Sequence, residues 1–163
     1  MTDTLFAPPG TQWQRLSPNY LRMKLTLIPI VWTGLFAVPA VAAFLLGPSW
    51  LGWTVVAAWA AMLAWRLIRA PRSFRRWGYA ERDTDVYLTS GLFHRRLVCV
   101  PYGRMQLVQL HSGPIDRAFK LATVEMITSS TQGSVSIPGL SPSDAAALRD
   151  RLIERGETQQ AGI

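Results

Sequence analysis

The chain is poor in the residues that most chemistry needs. Its 163 residues include one cysteine and two histidines. A lone Cys99 excludes an internal disulfide and any two-cysteine metal or redox motif. Acidic residues are scarce, with none between Asp3 and Glu81, and charge of either sign is missing from residue 25 to residue 65. No phosphate-binding glycine loop, nucleophile elbow or HExxH pattern occurs. His94 and His111 fall on different candidate strands with no carboxylate cluster at ligand spacing. These absences argue against an enzyme and assign no catalytic residue, no cofactor and no metal.

What the chain does have is apolar length. Residues 25–46 and 50–65 form two uncharged stretches separated only by Gly47-Pro48-Ser49. As helices they would be about 33 Å and about 24 Å long, against a hydrocarbon core of roughly 30 Å. The run through Ala40-Val41-Ala42 has the small residues of a signal-peptide cleavage site. A secretory apolar region is only about 7–15 residues long, however, and here a second span follows at once. The pattern therefore predicts a membrane hairpin over residues 25–68. Arg15, Arg22 and Lys24 precede it, and Arg66, Arg69, Arg72, Arg75 and Arg76 follow it, so the cations share one side. The positive-inside rule then puts both termini in the cytoplasm. The five later arginines are candidate contacts for lipid headgroups.

The formal charge of +7 belongs to these flanks. Residues 15–77 carry eight Lys/Arg and no acid, whereas the rest carries nine against ten. A near-neutral remainder gives no footprint for nucleic acid. Residues 1–24 read as an N-terminal tail, mobile up to Gln12, followed by an interfacial segment. In that segment Trp13, Leu16, Tyr20 and Met23 recur every 3–4 residues, which predicts a short amphipathic helix at the headgroups, opened or interrupted by Pro18. Pro29 and Pro39 predict kinks in the first span. Ala57, Ala60, Ala61 and Ala64 give the second span a small-residue face for close approach, to the first span or to another copy. Trp50, Trp53, Trp65 and Trp77 suit the interfaces, while Trp32 and Trp59 suit packing between helices.

Beyond Arg76 the apolar period changes to two. Candidate strands are 77–82, 85–90, 93–101, 105–112, 123–129 and 134–138. Ser90-Gly91, Tyr102-Gly103, Ser112-Gly113-Pro114 and Gln132-Gly133 supply turns between them. Residues 114–119 have room for one helical turn. Ser141-Pro142-Ser143-Asp144 then opens a helix with Ala145, Leu148, Leu152 and Ile153 on its apolar face, stopping near Arg155-Gly156 and leaving 157–163 as a tail. Cys99 alternates with Leu97 and Pro101 and reads as a small core side chain. The fold class is a membrane α-helical hairpin plus an α+β cytoplasmic domain over residues 77–156.

Four ordered segments carry a resemblance: SGLFHRR at 90–96, VPYGRMQ at 100–106, GPIDRAFKLATV at 113–124 and IPGL at 137–140. Together they resemble the bacterial pleckstrin-homology-like (PH-like) domain of YdbS-type membrane proteins, whose two-span anchor the hairpin also resembles. The resemblance implies a PH-like bent antiparallel β-barrel or sandwich capped by the C-terminal helix, in a multi-pass protein of the bacterial cytoplasmic membrane. It implies little about activity, because this fold serves lipid binding, protein binding and scaffolding alike. Many of the motif residues have structural readings. Gly91 and Gly103 suit turns with positive φ, Pro101 a strand end, Pro114 a turn start, and Leu121, Ala122 and Val124 the core. Arg104, Arg117 and Lys120 either form a cationic surface or pair with Asp116 and Glu125. Tyr102, Arg104, Gln106, Asp116, Arg117 and Lys120 make up the candidate partner surface. The expected function is a non-enzymatic, membrane-anchored module for protein interaction or assembly, its partner a membrane protein or a second copy. The alternative is direct recognition of anionic membrane lipids by the arginine cluster with Arg104, Arg117 or Lys120.

Overall fold

Two long helices follow a short extended lead, α1 (Pro18–Leu46) and α2 (Ser49–Phe74), joined by a two-residue turn. Both are long and apolar enough to cross a membrane. They belong to a computed structural model that describes residues 13–91, 95–128 and 133–161. The predicted tail up to Gln12, Phe93 and His94 of the third candidate strand, Ser129 of the fifth and Gln132 of the last turn lie outside those residues. Chain contacts divide the protein into one unit over residues 21–72 and another formed by residues up to Tyr20 together with those from Ser73 onward.

Within the helical unit α1 runs through Pro29 and Pro39, and α2 continues past the apolar span through Arg66, Arg69, Pro71 and Arg72. The helices meet through large side chains. Phe44 lies over Gly52, where an added Cβ would fall 2.5 Å from the ring, and stacks edge-on against Trp53 with centroids 5.7 Å apart. Thr33, Phe36, Ala37, Ala40, Val55, Val56 and Trp59 line a small cavity of about 190 Å³. Ala57, Ala60, Ala61 and Ala64 are all exposed. The small-residue face therefore does not pack on the first span, because Gly52 and Trp59 set the contact on another side of α2.

The second unit contains two three-stranded antiparallel sheets. β1 (Gly78–Glu81), β2 (Asp85–Ser90) and β3 (Arg96–Pro101) form one, and β4 (Met105–His111), β5 (Ala122–Thr128) and β6 (Ser134–Leu140) form the other, each in sequence order. A 3₁₀ turn, Tyr102–Arg104, links β3 to β4, and a single-turn helix, α3 (Pro114–Ala118), follows β4. No strand pair joins the two sheets among the described residues, so of the expected barrel or sandwich a closed barrel is not formed. Alternation sorts the core. Val86 and Leu88 of β2, Val100 of β3, Val124 and Met126 of β5, and Ile137 and Leu140 of β6 bury with Ala145, Leu148 and Leu152 of α4 (Pro142–Ala161). Each large buried aliphatic contributes on the order of 1.5–3 kcal/mol.

Ser141 begins α4 as expected, accepting the Asp144 N–H at 3.1 Å and donating to the Asp144 carboxylate at 2.6 Å. The helix does not stop at Gly156 but runs on to Ala161. Glycine inside a helix costs only about 1 kcal/mol, and here the last turns lie beside the 3₁₀ turn, with Gln159 Oε1 3.8 Å from where a Cβ on Gly103 would sit.

The N-terminal lead corrects another expectation. Residues 13–17 form an extended strap, and helix begins only at Pro18. Gln14 and Tyr79 exchange both backbone hydrogen bonds, at 2.8 and 3.0 Å, so the strap covers the outer edge of β1. Leu16 is 4% exposed and belongs to the core of the sheets. The Ser17 N–H donates to the Gly139 carbonyl at 2.8 Å, and Tyr20 rests on Gly139. The spacing read as an amphipathic helix is a strap that closes this domain.

Candidate functional site

The two predicted partner loops sit at opposite ends of β4. Seven residues at about 3.3 Å each set them roughly 20 Å apart along the strand. At the first end Pro101 leads into the 3₁₀ turn. Tyr102 does not belong to the surface: it is fully buried, its hydroxyl donating to the Arg82 carbonyl at 3.0 Å and accepting from Arg155 at 2.9 Å. Burial pushes its pKa up, against the hydrogen bond from Arg155. The sequence signal failed because an aromatic beside a turn glycine suits either side of the sheet. Arg104 and Gln106 are exposed, with Gln106 at the bulge between Met105 and Leu107.

At the far end α3 is held mainly by its own short contacts. Asp116 accepts the Gly113 N–H at 3.2 Å, Arg117 donates to the Ser112 carbonyl at 3.1 Å, and Ser112 donates to the Leu121 carbonyl at 2.9 Å. Asp116 is thus a cap and Arg117 a partial clasp. Glu125, one expected partner of the cations, pairs instead with His111 at 3.0 Å. Lys120 is exposed and occupies the left-handed region at φ 53°. Leu107 and Ile115 add apolar surface, 47% and 50% exposed.

Three of the five arginines, Arg66, Arg69 and Arg72, lie on α2 in the helical unit. The Arg66 guanidinium sits 4.9 Å from the Trp32 ring and that of Arg69 5.4 Å from Trp65, while Arg72 donates to the Ile68 carbonyl. Arg75 and Arg76 follow the helix and are exposed.

Sequence reasoning missed a polar clasp between α4 and β1. Arg151 grips Glu81 through two hydrogen bonds of 2.8 and 3.0 Å, and the Glu81 side chain is only 9% exposed. Beside it, burial and the Glu81 charge push the Tyr79 pKa to about 12, so Tyr79 stays protonated and donates to Gln14. No local pattern marks such a pair, whose members are 70 residues apart.

Cys99 is also corrected. Val98 and Val100 face inward and Cys99 is exposed on the outer face, its thiol directed at Asp85 at 3.4 Å. The cause is register: Val86 and Leu88, which are buried, pair with Val100 and Val98, and a one-residue shift exchanges the faces. Partial burial, then the Asp85 carboxylate, raise the thiol pKa. Among the described residues no three His, Cys, Asp or Glu side chains gather as metal ligands.

The sequence profile described as "Bacterial PH domain" matches residues 25–156. The chain belongs to the bacterial PH domain family. A relative named UPF0699 transmembrane protein YdbS, from Bacillus subtilis (strain 168), is 30% identical over 147 residues, covering 90% of this chain and 87% of that protein. No solved structure matches. The family match takes in the helical hairpin, both sheets and most of α4, but it begins after the strap that carries Leu16.

Proposed function

We propose that this bacterial PH domain protein is a non-enzymatic module for protein interaction or assembly, anchored by its hairpin and displayed at the cytoplasmic face of the membrane. Support for the placement comes from the two apolar helices, the one-sided arginines and a domain built from residues on both sides of the hairpin. Such a domain requires both chain arms on the same side. A relative named as a transmembrane protein supports the membrane anchor. The observation that carries the interaction reading is the mixed surface along β4. Leu107 and Ile115 are half exposed, and Arg104 and Lys120 make no ion pair among the described residues. Interfaces combine apolar and arginine contacts in this way. Reversing charge with Arg104→Glu and Arg117→Glu is expected to abolish co-purification with a membrane protein, or self-association, while the fold persists, because the only bond given up among the described residues is the exposed one from Arg117 to the Ser112 carbonyl, worth about 0.5–1.5 kcal/mol. Retained association with a folded double variant rejects this surface.

A second reading, anionic-lipid recognition, is favoured by the exposed Arg66, Arg72, Arg75 and Arg76. Each basic residue near an anionic surface contributes on the order of 1 kcal/mol. Salt-sensitive, headgroup-selective vesicle binding that disappears when Arg72, Arg75 and Arg76 become Gln would put it first.

A further inference from the structure

The seam where the barrel fails to close is itself built. β3 and β6 are the edge strands of their sheets, and both line one cleft of about 670 Å³. In antiparallel pairs, residues of hydrogen-bonded pairs turn both backbone groups to the partner, and the alternate residues turn both away. The Tyr102 N–H donates to the Thr84 carbonyl, which fixes the even residues of β3 as the set bonded to β2 and leaves Leu97 and Cys99 facing outward. Likewise the Thr128 N–H donates to the Gly133 carbonyl, so the odd residues of β6 bond β5 and Ser134 and Ser136 face outward. Pro101 falls in the outward series of β3, where a missing N–H leaves the ladder intact, and Pro138 falls where the β5–β6 register shifts. Leu97, Cys99, Ser134 and Ser136 all line the cleft.

Open edges are usually covered, and β1 is covered by Gln14. The cleft is bounded by two edges that are not paired with each other, above apolar side chains of Trp77, Leu88, Val98 and Val135. Among the described residues its lining holds one charged residue, Arg96, and no acid. The Arg96 guanidinium makes no hydrogen bond or ion pair among the described residues.

We infer that this cleft binds an extended, carboxylate-bearing peptide segment of a partner protein, which adds a strand between β3 and β6 and places its acid on Arg96. The inference rests on the interaction reading above and names a site and a partner chemistry for it. An inserted strand would satisfy the backbone groups of Leu97, Cys99, Ser134 and Ser136 and make one continuous sheet, with alternate side chains on the apolar floor.

The test uses the full chain in detergent micelles and a phage-displayed library of random heptapeptides. Enriched peptides are expected to carry Asp or Glu, and their synthetic forms to lose at least about tenfold in affinity on N-methylation of one interior residue and on Arg96→Glu. Ser136→Pro, which removes an outward N–H and leaves the β5–β6 ladder intact, is expected to weaken binding as well. Failure to enrich any peptide, or affinities indifferent to these three changes, overturns the inference. So does Arg96-dependent binding of 3:1 zwitterionic:anionic vesicles without peptide binding. Loss of association in the Arg104/Arg117 variant with no peptide in the cleft removes only this inference. Peptide binding here with association intact in that variant removes only the β4 surface.

Discussion

Gly139 is the position where one methyl group should have the largest consequence. Its φ is +72°, a region that costs an L-residue about 1–2 kcal/mol. A Cβ there would also lie 2.5 Å from Tyr20 Cγ and 2.7 Å from Tyr20 Cβ, close to the backbone, so the ring cannot simply swing aside. Overpacking of this kind costs about 1–3 kcal/mol, and reduced freedom of the unfolded chain returns about 0.4–1 kcal/mol. Gly139→Ala is therefore expected to cost roughly 2–4 kcal/mol, felt first where the strap docks. Gly133 is the internal control, with the same φ of +72° and nothing within 4 Å of an added Cβ. Hydrogen exchange of the Gln14, Ser17 and Tyr79 amides, whose bonds hold the strap, is the assay. In full-length protein Gly139→Ala should speed their exchange about 30- to 1,000-fold, at 1.4 kcal/mol per factor of ten. Gly133→Ala should leave them protected. Equal effects of the two substitutions, or strap amides unchanged in Gly139→Ala, would refute the reasoning.

Three further outcomes are expected. Arg151→Ala strands the nearly buried Glu81 carboxylate and should cost about 1–3 kcal/mol, whereas Glu81→Ala leaves a guanidinium side chain 41% exposed to water and should cost less; denaturant midpoints in detergent that reverse this order contradict the clasp. Because the Cys99 thiol pKa is raised, it is protonated at neutral pH, and its alkylation should climb only at higher pH than for an ordinary cysteine; Asp85→Asn removes a raising influence and should shift the profile to lower pH, as mass-spectrometric rates would record. In a Cys99→Ser background, an impermeant thiol reagent added to intact cells should label Ser49→Cys but not Ser143→Cys, and labelling of the latter overturns the orientation.

Local signals carried much of this fold. Asp85–Ser90 matched its expected bounds, the other strands came within a few residues, and Ser141 opened its helix as capping chemistry required. What could not be read was tertiary. The contact that turns Leu16 into core lies beside Tyr79, paired with Gln14 65 residues away, and in isolation the spacing of Trp13, Leu16 and Tyr20 fits a helix equally well. Leu97, Val98, Cys99 and Val100 are all small or apolar, so alternation could not choose a register until β2 fixed it. The seam was invisible because the residues that form it contribute backbone groups, and sequence patterns report side chains.

The strap also sets an order of events during synthesis. Gln14 and Leu16 leave the ribosome early, but the strand they pair with and the carbonyl that Ser17 engages come after the whole hairpin. These N-terminal residues must wait while the hairpin is made, and the domain core becomes complete only when the last strand and α4 arrive. A fragment cut at Trp77 would be born with β1 uncovered and a hole where Leu16 belongs. Chain order thus makes the complete domain core the last thing to form, after both helices and all six strands have been synthesised.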